Sequence, residues 1–107
     1  MVKTLPLDSF SYLNHLTRPF SVEVFAVAGN KIYCEEYSTV LEEVSKKLGL
    51  PTECIAETKF MNIPMTKLIV AGTKKRIEIV SRVLDHVTDF TVKHIDDEMI
   101  EFTNAAG

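Results

Sequence analysis

Two amphipathic helical stripes, each preceded by strand-like segments, constrain the fold of this 107-residue chain more than any other feature. Apolar side chains recur at helical spacing over residues 37–48 and again over residues 74–87. The first helix is further supported by the capping-box spacing of Thr39 and Glu42, and it ends before Gly49. Because each helix has one apolar face, each must pack against another layer of structure.

Surface charges also support the first helix. Glu42 with Lys46, and Glu43 with Lys47, have the spacing and orientation of stabilising i,i+4 ion pairs. We therefore expect both pairs on its solvent-facing side.

The strands are predicted from period-two alternation. Residues 20–28 alternate, and Gly29-Asn30 predicts a hairpin turn into residues 31–34. Residues 54–62 fit either a strand or a helix opened by residues 51–53, and we favour the strand. The remaining predicted elements are a short helix over 7–16 and strands over 66–71, 90–95 and 99–103.

The resulting order is approximately α-ββ-α-ββ-α-ββ within a single α+β domain spanning residues 1–107. We predict a ferredoxin-like two-layer sandwich, in which the two main helices cover one face of a mixed or antiparallel sheet. The other face would be open to a partner, a ligand or a second copy of the chain.

Composition excludes several classes of protein. With 46% hydrophobic residues, 25% charged residues and a net charge of -3, the chain has the composition of a globular domain. The charge provides no global attraction to nucleic acid, and the apolar runs are too short to cross a bilayer. The first eight residues do not resemble a secretory signal, so we expect a cytoplasmic protein.

Neither a metal nor a cofactor is expected. Cys34 and Cys54 lie outside any CxxC motif, which predicts two buried, reduced thiols and no zinc site or disulfide framework. The acidic group at residues 96–98, with Glu101, lacks the spacing and glycine of a calcium loop. We interpret it as a solvated turn.

The start of the second long helix carries the strongest indication of a binding site. Three cations occupy its first turn, where the helix dipole opposes positive charge by about 0.3–1 kcal/mol each. Backbone N–H groups, a cap hydroxyl and cations together predict an anion-binding or nucleic-acid-binding site. Its residues are Gly72, Thr73, Lys74, Lys75 and Arg76. The alternative is an exposed, solvated basic turn.

Two histidine motifs supply a catalytic alternative. His15-Leu16-Thr17 and His86-Val87-Thr88 resemble the paired motifs of the 2H phosphoesterases, whose histidines act as acid and base and whose threonines bind phosphate. That resemblance implies a phosphoesterase acting through His15 and His86. In that family each motif lies on a core strand, whereas both tripeptides here fall at the C-terminal ends of predicted helices, where a histidine complements the dipole.

We predict a small non-enzymatic regulatory protein that binds a protein partner, or itself as a homodimer, through its open sheet face. One alternative is a nucleic-acid-binding protein that uses the basic helix start, with Lys59, Lys67 and Arg82 as contributors. The other is the phosphoesterase. The sequence contains no nucleotide-binding or serine-hydrolase motif, and we expect no membrane contact.

Overall fold

A computed structural model describes residues 3–87 and 89–105 of the chain. In this described part of the chain, six strands form one sheet in the spatial order β3-β2-β1-β4-β6-β5. Within the described residues, no helix is long and apolar enough to cross a membrane. The strands are β1 (Glu23–Ala28), β2 (Lys31–Cys34), β3 (Thr52–Cys54), β4 (Lys67–Ala71), β5 (Phe90–Asp96) and β6 (Met99–Asn104). The helices are α1 (Ser9–Thr17), α2 (Thr39–Leu48) and α3 (Lys74–Leu84), with short 3₁₀ helices at Arg18–Phe20 and Glu57–Asn62.

The α+β class and the approximate order of elements are confirmed. The sheet is mixed, because β2 and β3 are parallel and all other neighbouring strands are antiparallel. The hairpin between β1 and β2 turns at Gly29, which has a φ of 60°, in the left-handed region that favours glycine.

The predicted placement of both main helices on one face is wrong. Helix α3 packs with α1 on one side of the sheet, where Ile77 and Val80 join Val24 and Leu68 in the core. Helix α2 packs on the opposite side, where its buried residues, Leu41 and Val44, join a second cluster that includes Phe25, Ile69 and Met99. We call these the α1/α3 side and the α2 side. The central strands are therefore covered on both sides.

The open surface is narrower than the whole sheet face that was predicted to be open. On the α2 side of β6 and β5 it is polar, and there the Nζ of Lys67 lies 2.9 Å from Oε1 of Glu101. Glu101 is paired in register with Lys93, which is exposed, as is Thr91 two residues earlier. A polar strip of this kind differs from the apolar face that a buried interface needs.

Residues 54–62 do not form the predicted strand. Only Thr52–Cys54 pair with β2, and Glu57–Asn62 then form a 3₁₀ helix that buries Phe60. The Phe60 ring stacks on Phe10 of α1, with ring centroids 3.7 Å apart. Burial of this aromatic pair explains why the segment leaves the sheet and returns to α1.

Both long helices begin at capping hydroxyls. Ser38 caps α2, one residue before the predicted Thr39, and its hydroxyl accepts from the Leu41 N–H. Thr73 caps α3 in the same way, by accepting from the Arg76 N–H. Helix α3 ends at Leu84, three residues before the predicted end at Val87.

Candidate functional site

The predicted anion site lies at one end of the sheet. At this end β1 begins and β4 ends, with Glu23 paired in register with Ala71. Ser38, at the start of α2, donates from its hydroxyl to Glu23. Helices α2 and α3 therefore both begin here, and we call this the helix-start end. The positive ends of two helix dipoles face the same region.

Gly72 and Thr73 shape the connection into α3. The sequence suggested that the Gly72 N–H is free to bind an anion. In the structure it donates instead to the carbonyl of Glu98 at 3.1 Å. A Cβ on Gly72 would lie 3.0 Å from Cγ1 of Val22. Close packing against Val22 therefore explains why this position is a glycine. The Thr73 hydroxyl accepts the Arg76 N–H at 3.4 Å.

The three cations of the first turn differ in their surroundings. The Nζ of Lys74 lies 3.9 Å from a carboxylate oxygen of Asp97, and Nη1 of Arg76 donates to the Ser21 carbonyl at 3.4 Å. Lys75 is exposed and, within residues 3–87 and 89–105, makes no ion pair. The contacts of Lys74 and Arg76 thus reduce the unfavourable interaction between these cations and the helix dipole. Lys75 is the cation most available to a ligand.

A shallow cavity of about 150 Å³ separates the starts of α2 and α3. Gly72 and Thr73 line it together with Lys47, but Glu43 and Glu98 also face it. The two carboxylates oppose an anion inside the cavity, so the exposed first turn of α3, at residues 74–76, is the more favourable position for an anion.

A cavity of about 340 Å³ lies at the opposite end of the sheet. Asp8 and Asp89 are among its lining residues, and none of those residues is Lys or Arg. Tyr12, whose exposed fraction is 48%, contributes an aromatic wall. This composition does not suit a phosphate group, which requires donors or cations.

The other basic residues do not join the helix start in one patch. Lys67 lies on the α2 side of the sheet and pairs with Glu101, whereas Arg82 belongs to α3 on the opposite side. Lys59 belongs to the 3₁₀ helix that packs beside α1. A continuous basic surface for nucleic acid is therefore not formed by these residues.

The two histidines of the phosphoesterase alternative lie at opposite ends of the α1/α3 layer. His15 is in the last turn of α1 and its Nε2 lies 3.6 Å from Glu57. His86 lies two residues beyond the end of α3, whose 11 residues span about 16 Å from a first turn that contacts Ser21. Ser21 follows the 3₁₀ helix that continues α1, so His15 is close to the start of α3 and His86 lies beyond its end. Thr88 lies outside the described residues, and the Thr17 hydroxyl is buried and donates to the Leu13 carbonyl.

The acidic residues after β5 form a turn tied to a helix and a strand. The Lys47 ammonium donates to Asp96 at 2.9 Å and lies 3.9 Å from Glu98, while Glu101 pairs with Lys67. The hydrogen bond from Lys47, with that from the Glu98 N–H, lowers the pKa of Asp96 below its ordinary value of 3.8. In the described part of the chain, no group of His, Cys, Asp and Glu residues could hold a metal ion.

The structure also brings together two residues that the sequence presents as unrelated. Cys34 and Cys54 end the parallel strands β2 and β3 in register, and their sulfur atoms lie 3.1 Å apart. Cys34 is buried as predicted, whereas Cys54 is exposed, contrary to the prediction. The sequence contained one signal for this contact, which was the predicted helix between the two cysteines. A helix between two strands permits a crossover connection and so parallel pairing.

The fold of this chain is found in known proteins by comparison of structures and not of sequences. No family profile and no curated protein matches the sequence. Among solved structures, a haloacid dehalogenase-like hydrolase from Bacteroides thetaiotaomicron aligns with a TM-score of 0.79 at 14% identity, over 96% of this chain and 40% of that one. A haloacid dehalogenase-like hydrolase from B. subtilis aligns with a TM-score of 0.73 at 12% identity, over 94% and 45%. A sugar phosphatase of HAD subclass IIB aligns with a TM-score of 0.66 at 11% identity, over 95% and 39%.

These alignments overturn the main functional prediction. The expectation of a non-enzymatic regulatory or interaction protein is wrong, because nearly the whole chain has a fold found in hydrolases and phosphatases. Hydrolases and phosphatases include the class of the phosphoesterase alternative, but the structure places His15 within α1 and His86 beyond the end of α3. The chain spans about two fifths of the length of the solved hydrolases that share its fold.

Proposed function

We propose that this chain is a domain of a phosphate-ester hydrolase of the haloacid dehalogenase type. The observation that carries the proposal is the alignment of 94–96% of this chain with 38–45% of each of several such hydrolases and phosphatases. In this proposal the groups that attack and cleave the ester belong to the remaining part of the enzyme. The placement of His15 within α1, near the start of α3, and of His86 beyond the end of α3 supports this division of roles.

The positions of the two chain ends support a role as one domain within a longer chain. Nδ2 of Asn104 donates to the carbonyl of Thr4 at 2.9 Å, and the Leu5 N–H donates to the Met65 carbonyl at 2.8 Å. Residues near both ends are thus held side by side at one end of the sheet. A unit with adjacent ends can be inserted into another domain without distorting either.

We propose further that the first turn of α3, with Thr73, Lys74, Lys75 and Arg76, contacts the anionic group of the ester. Exposed cations at the start of an 11-residue helix provide charge-assisted hydrogen bonds and a favourable dipole. Lys75 is the most available of the three, because Lys74 faces Asp97 and Arg76 contacts Ser21.

Two measurements on the chain test the proposal. Hydrolysis of p-nitrophenyl phosphate tests where the reacting groups lie, and we expect no turnover by the chain alone. Turnover that is lost in His15→Ala and His86→Ala variants would instead place catalysis within this domain and overturn the division of roles.

Titration of glucose 6-phosphate, followed by amide NMR shifts, tests the anion contact. We expect weak, salt-sensitive binding with shifts at residues 73–76, about tenfold weaker in Lys75→Glu. Lys59→Glu is the matched control, because Lys59 is also exposed and the change in charge is the same. Equal weakening of binding in both variants, or NMR shifts at other residues, would refute the anion site. The hydrolase proposal would not be affected, because the first measurement tests it separately.

A further inference from the structure

Cys34 and Cys54 have the geometry of a pair that can be joined. Both end their strands, and they are register partners in the parallel pairing of β2 with β3. Neighbouring strands lie about 4.7–4.9 Å apart, within the Cα separation of about 4.4–6.8 Å that disulfides span. With the sulfur atoms already 3.1 Å apart, a bond requires only small side-chain movements.

The two thiols differ in access to solvent. Cys34 lies beneath α2 in the cluster that contains Leu41 and Val44, with none of its surface exposed. Its burial, together with the nearby Cys54, raises its pKa to about 12. Cys54 is exposed on β3, which is one of the two edge strands of the described sheet. A reagent in solution therefore meets Cys54 first, and Cys34 can be reached only through Cys54.

We propose that Cys34 and Cys54 are a redox modification site, at which a hydroperoxide converts the two thiols into a reversible intramolecular disulfide. In the first step the Cys54 thiolate attacks one peroxide oxygen, the O–O bond breaks, and the departing oxygen is protonated to water or an alcohol. Cys54 is then a sulfenic acid. The sulfur of Cys34 next attacks that of Cys54, the S–O bond breaks, and the leaving hydroxide takes the Cys34 proton as water. Two thiols are oxidised for each peroxide reduced.

The disulfide would close a loop that contains the whole of α2. The segment between the two cysteines leaves β2, forms α2 and returns as β3, which has only three residues. Joining its ends restricts the unfolded chain and fastens the short edge strand to β2. Oxidation would therefore stabilise the α2 side of the fold, including the start of α2 at the helix-start end.

The test uses the full chain, treated with hydrogen peroxide and analysed by mass spectrometry without reduction. We expect a monomer that has lost two hydrogens and both free thiols, a cross-linked peptide pair containing Cys34 and Cys54, and recovery with dithiothreitol. The melting temperature should rise by about 10 °C on oxidation. A covalent dimer joined through Cys54, or oxidation of Cys54 that leaves Cys34 free, would overturn the proposal.

Two variants test the order of events. In Cys54→Ser, a conservative change at an exposed position, the buried Cys34 thiol should resist peroxide in the folded protein. In Cys34→Ala, Cys54 should stop at the sulfenic acid, which a dimedone probe traps. Oxidation of Cys34 in Cys54→Ser at the wild-type rate would show that Cys54 is not the entry point, even if Cys34→Ala does not fold.

Discussion

The hydroxyl of Ser38 donates a 2.7 Å hydrogen bond to the carboxylate of Glu23. The same hydroxyl accepts the Leu41 N–H and so caps α2. One side chain therefore begins a helix and fastens that beginning to the first residue of β1. Because α2 covers the side of the sheet opposite to α1 and α3, this contact helps to fix the second layer of the fold.

Removal of the Ser38 hydroxyl should weaken the fold. We expect Ser38→Ala to lower the free energy of unfolding by about 1–2 kcal/mol, because both the cap and the bond to Glu23 are lost. Urea unfolding measures the change as a lower midpoint. Ser81→Ala, within α3, is the matched control and should change stability by less than about 0.5 kcal/mol. Equal effects of the two changes would contradict the role of Ser38.

The stacked rings of Phe10 and Phe60 should contribute strongly to stability. Both are buried, and their planes lie 8° apart. Phe60→Ala should reduce the free energy of unfolding by about 3–5 kcal/mol, because it leaves a cavity against α1. Met61 is the next residue and 52% exposed, so Met61→Ala should have little effect. Similar losses in both variants would show that the 3₁₀ helix itself, not the ring contact, carries the stability.

The first-turn cations of α3 should respond differently to reversal of charge. Lys75→Glu should raise the free energy of unfolding by about 0.5 kcal/mol, since an acid replaces a cation that opposes the dipole. Lys74→Glu should give a smaller gain, because the new carboxylate would face Asp97. Thermal melts at low salt measure both effects. A lower melting temperature for Lys75→Glu would show that Lys75 stabilises the folded chain.

The bridge between Lys47 and Asp96 should make stability depend on pH in the acid range. The pKa of Asp96 is lowered in the folded state, so its contribution is complete above about pH 5 and is lost as pH falls below 3.8 through the lowered value. At neutral pH, Asp96→Asn should cost no more than about 1 kcal/mol, because both partners are more than one third exposed.

Urea midpoints of the wild type and Asp96→Asn between pH 3 and pH 7 test this dependence. The difference between the two proteins should shrink toward the acid end. Asp89→Asn is the control, because Asp89 is exposed and takes no part in the ion pairs found among the described residues. A difference that stays constant with pH would mean that the Asp96 carboxylate contributes nothing through its charge.

Most of the candidate site was predictable because it is a local feature. Thr73, Lys74, Lys75 and Arg76 are consecutive, and the cap hydroxyl and the exposed cations follow from the start of one helix. The contacts that modify the site come from distant segments. Asp97 and Ser21 partner two of the cations, and the carbonyl of Glu98 occupies the Gly72 N–H. None of these pairings leaves a periodic signal in the sequence.

The sequence by itself determined the elements whose causes lie within a few residues. The hairpin at Gly29 and the two long helices follow from local backbone preferences and from periodicity. Of the two predicted i,i+4 ion pairs, Lys46 lies 3.7 Å from Glu42, whereas Lys47 bonds instead to Asp96, 49 residues away. The partner of Lys47 was therefore decided by the tertiary structure and not by helical spacing.

Only the tertiary structure decided which side of the sheet each helix covers. An amphipathic stripe requires burial but is satisfied on either side, since both sides of the central strands are apolar. All residues from Val24 to Ala28 of β1 are buried, which is the sign of a strand covered on both faces. The chain crosses over through α2 and returns as β3, parallel to β2, and that pairing brings Cys34 beside Cys54. Contacts between distant segments depend on how the layers assemble, and spacing along the chain does not encode that assembly.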